Sequence, residues 1–323
     1  MAAEMSIYNE IAGKKAENKL LDGAWILSPR DKYYVRYCSF VMSQFYEDND
    51  ELQADIDNLV SNRTWQTLAT FLINNHIGIT VSGGVADSTL NVIEQIHWIT
   101  YSYEDEQLHI RQNHEPFKSW ESGTGRPSKG KEWNNDVEDR YKNANSHDLI
   151  NLTMRQAFLE GYLKETLRKS FGETYDVDGF IVSFAGKVLP LEIKEKSRTP
   201  KKEEFGVDAG RILMLLRMCL MTDSNALYII REVDESETRE LINWQYITLS
   251  DLIMKCRWNL QGGGAGMGGG TTQTIMMPAD LFNILNDENF SEDWLSDNGS
   301  LQNSVKNAGL KLKNDLVKYL NNE

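Results

Sequence analysis

The first 75 residues alternate apolar and polar positions mainly with helical spacing. Two stretches carry the pattern, the first with Leu52, Ile56, Leu59 and Val60 and the second with Trp65, Leu68, Ala69 and Leu72. A short β-branched run at residues 77–81 is typical of a strand. We therefore predict that residues 1–150 form a largely helical N-terminal region, with a polar and basic loop in its second half.

Beyond residue 150 the pattern alternates between helical and strand periods. The predicted elements are a helix over 152–171, strands over 180–184 and 188–194, a helix over 209–221, a strand over 226–233 and an amphipathic helix over 301–320. A tight turn at Gly186 joins the first two strands as a hairpin in this prediction. The order predicts an α/β fold with a core over residues 151–290, followed by the C-terminal helix within residues 291–323.

Composition and charge narrow the class of protein. With 323 residues, of which 41% are apolar and 25% charged, the chain can build a sizeable core, and its length suggests about two domains. We expect no membrane partner, because no apolar run approaches the ~20 residues of a membrane span. Three widely spaced cysteines favour a reducing, cytoplasmic location over a disulfide framework. A net charge of −14 means that DNA could be bound only through a local basic surface.

The most informative stretch is the predicted hairpin, which carries Asp178, Glu192 and Lys194. Residues two apart in a strand share a face, so Glu192 and Lys194 point the same way, while Leu191 and Ile193 point into the opposite, apolar layer. If the hairpin forms, Asp178 can lie near Glu192. Two adjacent carboxylates repel each other unless they are protonated or bridged by a cation such as Mg²⁺. The arrangement suits metal-assisted hydrolysis of phosphodiester bonds, with the lysine acting on a water.

Asp178, thirteen intervening residues and then Glu192-Ile193-Lys194 resemble the motif of the PD-(D/E)xK nuclease superfamily, which includes many restriction endonucleases. The resemblance implies a restriction-endonuclease-like αβββαβ core. It also implies that Asp178 and Glu192 bind Mg²⁺, for which Mn²⁺ can substitute, and that Lys194 acts on the attacking water. The chain departs from the motif at its first position, where Val177 precedes Asp178.

Two positions of this motif have rivals. Asp176 could replace Asp178, although Asp178 adjoins Gly179 and the strand, as the family pattern prefers. Many members of the superfamily add an acidic residue from the preceding helix as a further catalytic metal ligand. For that role the resemblance favours Glu160, which borders the apolar face of the predicted helix, with Glu165 as the alternative.

Two basic segments are candidate DNA contacts in this acidic chain. The segment after the motif reverses the local charge and would receive a phosphate backbone. A second segment, around Gly-Arg-Pro, resembles an AT-hook, but only its C-terminal side is basic, so we favour a plain basic loop there. The candidates are Lys196, Arg198, Lys201 and Lys202 in the first segment and Arg126, Lys129 and Lys131 in the second, together with Arg211 near the start of the following predicted helix.

Other interpretations compete at three places. Glu192 and Lys194 could form a surface ion pair on an edge strand. Residues 81–89 resemble the pyrophosphate-binding loop of ATP-pyrophosphatase enzymes, but Ala86 separates the glycines from the following aspartate, so we interpret them as a turn before a helix at 90–96. Residues 261–270 hold seven glycines, too many for a regular strand, and predict a loop or linker.

The residues and the resemblance together predict a Mg²⁺-dependent DNA endonuclease of restriction type. A homodimer is expected because cleavage of both strands requires two sites, and the N-terminal region would serve recognition or dimer contacts. The alternatives are a repair, recombination or phage-defence nuclease with the same core, and a DNA-binding protein without catalysis.

Overall fold

The computed structural model describes residues 18–29, 34–86, 96–113, 154, 158, 171–183, 186–236, 239–258, 260–265, 271–285 and 300–320. The fold is mixed α/β. The strands are β1 (Asn18–Pro29), β2 (Tyr37–Tyr46), β3 (Gly78–Val85), β4 (His97–Glu104), β5 (Gln107–Asn113), β6 (Phe171–Ser183), β7 (Val188–Lys196), β8 (Glu204–Asp208), β9 (Leu227–Val233), β10 (Leu241–Thr248), β11 (Leu260–Ala265), β12 (Thr271–Pro278) and β13 (Asn283–Ile284). The helices are α1 (Asn49–Ser61), α2 (Arg63–Asn74), α3 (Ala209–Thr222), α4 (Leu249–Lys255) and α5 (Leu301–Leu320), with a 3₁₀ turn at Ala279–Leu281.

The chain divides into two compact units. The described residues within Leu21–Asp176 form the first, and those within Val177–Ser183 and Lys187–Glu323 belong to the second. In the first unit the strands follow the order β1-β2-β3-β4-β5. The β2–β3 pair is parallel and the others are antiparallel. A parallel pair needs a long crossover connection, and α1 and α2 supply it.

The second unit holds the predicted hairpin and contains two sheets. In the larger one, β7 lies between β6, to which it runs antiparallel, and β9, to which it runs parallel, and β10 and β13 continue beyond β9. The helix α3 lies in the connection from β7 to β9. The smaller sheet has the order β11-β12-β8 and is antiparallel throughout. Because β7 has neighbours on both sides, both of its backbone edges are paired.

One face of the larger sheet is a hydrophobic core built from alternate strand residues. Leu189, Leu191 and Ile193 of β7 contribute to it together with Leu227 and Ile229 of β9. The intervening residues of both strands therefore lie on the opposite face, which carries the polar side chains described below.

Several sequence predictions are confirmed by these elements. The strands over 180–184 and 188–194 are parts of β6 and β7, and their turn uses Gly186 at φ 81°, a left-handed conformation that glycine adopts without steric cost. The helix over 209–221 is α3, the strand over 226–233 is β9 and the C-terminal amphipathic helix is α5. The helix predicted over 152–171 lies almost wholly outside the described residues.

The prediction of a largely helical N-terminal region is wrong for the described residues. Five strands, β1 to β5, accompany only two helices there, which are the two stretches with helical spacing. The sequence pattern missed β1 and β2 because both mix buried and partly exposed positions without strict alternation. Residues 261–265 of the glycine-rich segment likewise lie in β11, which pairs with β12 through a register shift, rather than in a loop.

The segment that resembles a pyrophosphate-binding loop is largely a strand. Its residues up to Val85 belong to β3, and a side chain at Gly83 would overlap that of Leu52 in α1. A side chain at Gly84 would crowd Ile96, at 2.9 Å. These glycines therefore allow close packing of neighbouring side chains, and the interpretation of the segment as a turn is wrong up to Val85.

Among the helices that the structure describes, none combines the length and the apolar character needed to cross a bilayer.

The packing at Gly83 yields a first prediction. Gly83→Ala should lower the free energy of unfolding by about 1–3 kcal/mol, because the added methyl group must displace the buried Leu52 side chain. Gly309→Ala is the matched control: no neighbouring atom lies within 4 Å of the new carbon in α5, and a helical alanine should raise stability by about 0.5–1 kcal/mol. Urea unfolding of both variants measures the difference, and equal stabilities would contradict the packing explanation.

Candidate metal centre

The polar face of β7 holds a buried acidic pair. Glu192 is 1% exposed and Asp178 is 4% exposed, although both are carboxylates that normally prefer water. Among the described residues, the backbone pairing between β6 and β7 ends with the pair Gly179 and Leu191, next to Asp178 and Glu192. Beyond that pair the N–H group of Ile193 donates a hydrogen bond to Asp178 Oδ2 at 2.7 Å. The Asp178 side chain is therefore the acceptor for this backbone group of β7.

Lys194 bridges the two carboxylates. Its Nζ lies 2.7 Å from Glu192 Oε1 and 3.3 Å from Asp178 Oδ2. The Nε atom of Arg211 lies 3.7 Å from the same Glu192 oxygen. The lysine and arginine side chains are 28% and 27% exposed, so the cationic side of the cluster reaches solvent while the carboxylates do not.

The interpretation of Glu192 and Lys194 as a surface ion pair on an edge strand is therefore wrong. Glu192 is buried, and β7 lies between two paired strands. Exposed pairs contribute only about 0–1 kcal/mol, whereas a buried carboxylate must be compensated by its neighbours.

The environment shifts the ionisation of both groups. Burial raises the pKa of Glu192, and the charge of Asp178 raises it further, although Lys194 and Arg211 act against this shift. Burial by itself would lower the pKa of Lys194, but the charges of Asp178 and Glu192 outweigh it, so the pKa of the lysine is raised. Lys194 is therefore an ammonium group at neutral pH and acts as a hydrogen-bond donor.

The start of α3 positions Arg211. Asp208 is the N-cap residue of the helix: its Oδ1 accepts hydrogen bonds from the N–H groups of Gly210, at 2.8 Å, and Arg211, at 3.4 Å. The cap therefore holds the first turn of the helix, and with it the Arg211 backbone, beside the acidic pair.

The basic loop after β7 does not present all of its charges to solvent. Lys201 and Lys202 are exposed. Lys196 shares the polar face of β7 with Lys194, and its pKa is lowered by burial and by the Lys194 charge. Of these basic residues, the two loop lysines are therefore the ones most accessible from solvent.

Arg198 instead holds a buried carboxylate. Its guanidinium pairs with Glu232 of β9, which is 2% exposed, through the contact of Nε with Oε1 and through a hydrogen bond from Nη2 to Oε2 at 3.1 Å. Gln245 of β10 donates a further hydrogen bond to Glu232 Oε2. The sequence-based assignment of Arg198 to DNA contact does not account for this pairing, which gives the residue a structural role.

The other predicted site residues cannot be placed. Glu160, Glu165, Arg126, Lys129 and Lys131 lie outside the described residues.

Two residues of this face were missed by the sequence analysis. Tyr228 stands beside Glu192 in the register of β7 and β9, and Glu232 stands beside Lys196. The one sequence signal for them is the predicted strand at 226–233, whose alternation places Tyr228 and Glu232 on a common face. The sequence pattern does not indicate which strand lies next to β7.

The acidic pair fits a hard divalent cation. Asp178 and Glu192 offer oxygen ligands, and Mg²⁺ commonly uses one or two carboxylates together with water and substrate phosphates. Within the described part of the chain no third histidine, cysteine, aspartate or glutamate joins them in a metal-binding group. In this structure the ammonium group of Lys194 contacts both carboxylates and compensates their negative charge.

Comparison with known proteins found no matching family model, no similar curated protein and no similar solved structure.

The Arg198–Glu232 pair yields a second prediction. Arg198→Ala should lower the free energy of unfolding by about 1–3 kcal/mol, because it leaves the buried Glu232 carboxylate without its cation. Arg239→Ala is the matched control, since Arg239 pairs with the partly exposed Glu195 and its loss should cost only about 0–1 kcal/mol. Urea unfolding compares the two, and an Arg198→Ala variant as stable as the wild type would show that the pair is not structural.

Proposed function

We propose that the chain is a Mg²⁺-dependent deoxyribonuclease that hydrolyses phosphodiester bonds, with a restriction-endonuclease-like core. The observation that carries this proposal is the contact of the Lys194 ammonium group with two buried carboxylates, Asp178 and Glu192, on neighbouring strands. These are the three residues that the resemblance to the PD-(D/E)xK superfamily assigns to metal binding and catalysis.

The order of elements around the site supports the proposal. β6 carries Asp178 and β7 carries Glu192 and Lys194. β8, which pairs in the smaller sheet, and the helix α3 then lead to β9, which is parallel to β7. This sequence agrees with the later part of the αβββαβ order that the resemblance implies.

The residues of the site divide the chemistry between them. Asp178 and Glu192 would hold Mg²⁺, which when bound supplies positive charge to the phosphate and lowers the pKa of a water. Lys194 would act on the attacking water or stabilise negative charge on the phosphate by donating hydrogen bonds. Arg211, on the solvent side of the cluster, would bind a non-bridging phosphate oxygen.

Features around the site are compatible with DNA as the substrate. The exposed Lys201 and Lys202 follow the strand that carries the site, in a chain whose net charge is −14. They would contact the phosphate backbone of either strand without reading sequence. Cleavage of both strands of a duplex would require a second copy of the chain. The free cysteines Cys38, Cys219 and Cys256 are compatible with a cytoplasmic location.

The third prediction tests metal-dependent cleavage. Wild-type protein should nick supercoiled plasmid with Mg²⁺ or Mn²⁺ and not in EDTA, whereas Ca²⁺ should support DNA binding with little cleavage because it coordinates more loosely. Lys194→Ala should lower the cleavage rate by about 10² to 10⁴-fold, since a positioned electrostatic group is lost. Gel assays of nicking over time measure these rates.

Two further variants serve as comparisons for the effect of Lys194→Ala. Lys255→Ala removes a lysine from an exposed pair with Asp251, at 3.2 Å, and should cleave at the wild-type rate. Glu192→Ala should lose Mn²⁺ binding as well as cleavage because it removes a ligand, with circular dichroism as the folding control. Cleavage by Lys194→Ala at the wild-type rate would show that the site is assigned incorrectly. DNA binding without cleavage by the wild type would favour the non-catalytic alternative.

The fourth prediction concerns the basic loop. Replacing Lys201 and Lys202 together by alanine should weaken binding to all DNA sequences alike, and the slope of log affinity against log salt should fall by about 0.9 for each lost phosphate contact. The control replaces Lys255 and Lys306, which are exposed on α4 and α5. Fluorescence anisotropy over a salt series gives both slopes, and an unchanged slope in the loop variant would mean that the loop does not contact DNA.

A further inference from the structure

Tyr228 stands next to the acidic pair in the sheet. The parallel register of β7 and β9 pairs it with Glu192, and its chain neighbours Leu227 and Ile229 both enter the hydrophobic core on the opposite face. Paired residues on neighbouring strands project to the same side of a sheet. The tyrosine ring therefore lies on the face that carries Glu192.

The hydroxyl group of Tyr228 is buried without a hydrogen-bond partner. The residue is 1% exposed, and among the described residues no atom accepts from this hydroxyl or donates to it. An unpaired buried hydroxyl costs free energy that a phenylalanine of the same shape would avoid. The hydroxyl therefore destabilises the folded protein unless a group from outside the protein forms a hydrogen bond with it.

The charges near the hydroxyl bear on which kind of group could be its hydrogen-bond partner. Burial raises the pKa of Tyr228 well above its ordinary value, and the negative charges of Glu192, Asp208 and Asp178 act in the same direction. A tyrosine hydroxyl is a hydrogen-bond donor at neutral pH, and this tyrosine is paired in the sheet with Glu192, one of the carboxylates proposed to hold a cation. It can donate a hydrogen bond to an oxygen atom that enters this space.

We propose that Tyr228 is a positioning residue whose hydroxyl donates a hydrogen bond to a water molecule in the hydration shell of the cation held by Asp178 and Glu192. The inference rests on the proposed function for its cation site and adds a residue that the PD-(D/E)xK motif does not contain. Mg²⁺ keeps several of its waters when it binds to proteins, and outer partners that hold such ligands tune metal affinity. The unpaired hydroxyl then gains its partner only when the cation is bound.

The test is Mn²⁺ binding by the full-length protein, without DNA, measured by isothermal titration calorimetry. Tyr228→Phe removes one oxygen and should weaken Mn²⁺ binding about 10-fold. Urea unfolding in EDTA should show that the metal-free variant is at least as stable as the wild type, because the unpaired hydroxyl is gone. Tyr246→Phe, in the core on the opposite face of the same sheet, is the matched control and should bind Mn²⁺ as the wild type does.

The outcomes separate this inference from the proposed function. If Glu192→Ala abolishes Mn²⁺ binding while Tyr228→Phe binds with wild-type affinity, the cation site stands and the role of Tyr228 is overturned. A loss of affinity accompanied by a loss of metal-free stability would assign Tyr228 a packing role, which also overturns the inference. If the wild type binds no Mn²⁺, the cation site fails and both proposals fall with it.

Discussion

Two carboxylates held against one ammonium group in the interior of a sheet are the constraint on which the second unit depends. Neither Asp178 nor Glu192 can be buried alone, because an isolated ion in a protein interior costs several kcal/mol, and each requires the positive charge of Lys194. The bridge in turn requires that β6 and β7 pair in one register. A slip of one residue would turn Glu192 into the hydrophobic core and leave Lys194 without partners.

The same physical solution recurs further along the polar face. Glu232 on β9 is as deeply buried as Glu192 and receives its positive charge from Arg198, which follows β7. Both acids thus lie on strands of the sheet and are neutralised by cations that β7 or its following loop supplies. The two clusters differ in composition: Lys194 contacts two buried carboxylates, whereas Arg198 pairs with the buried Glu232 and with the exposed Glu203 of its own loop.

The opposing demands on β7 explain its composition. One set of alternate residues, Leu189, Leu191 and Ile193, is apolar and packs into the core, and the other set carries the charges of the site. The rigid, paired backbone holds the charged side chains in place, which a catalytic or metal-binding arrangement requires. The cap at Asp208 has the same effect on α3, since it determines where the helix starts and therefore where Arg211 meets Glu192.

Local patterns in the sequence determined the elements around the site, because alternation, turn residues and helical spacing depend on near neighbours along the chain. They predicted the β6–β7 hairpin, α3, β9 and the shared face of Glu192 and Lys194. Only the tertiary structure decided the rest. The position of β7 between two strands buries Glu192, the parallel pairing with β9 brings Tyr228 beside it, and Arg198 pairs with Glu232. These contacts join residues that are distant in sequence, and their pairing follows from the order of strands in the sheet, which no local pattern encodes.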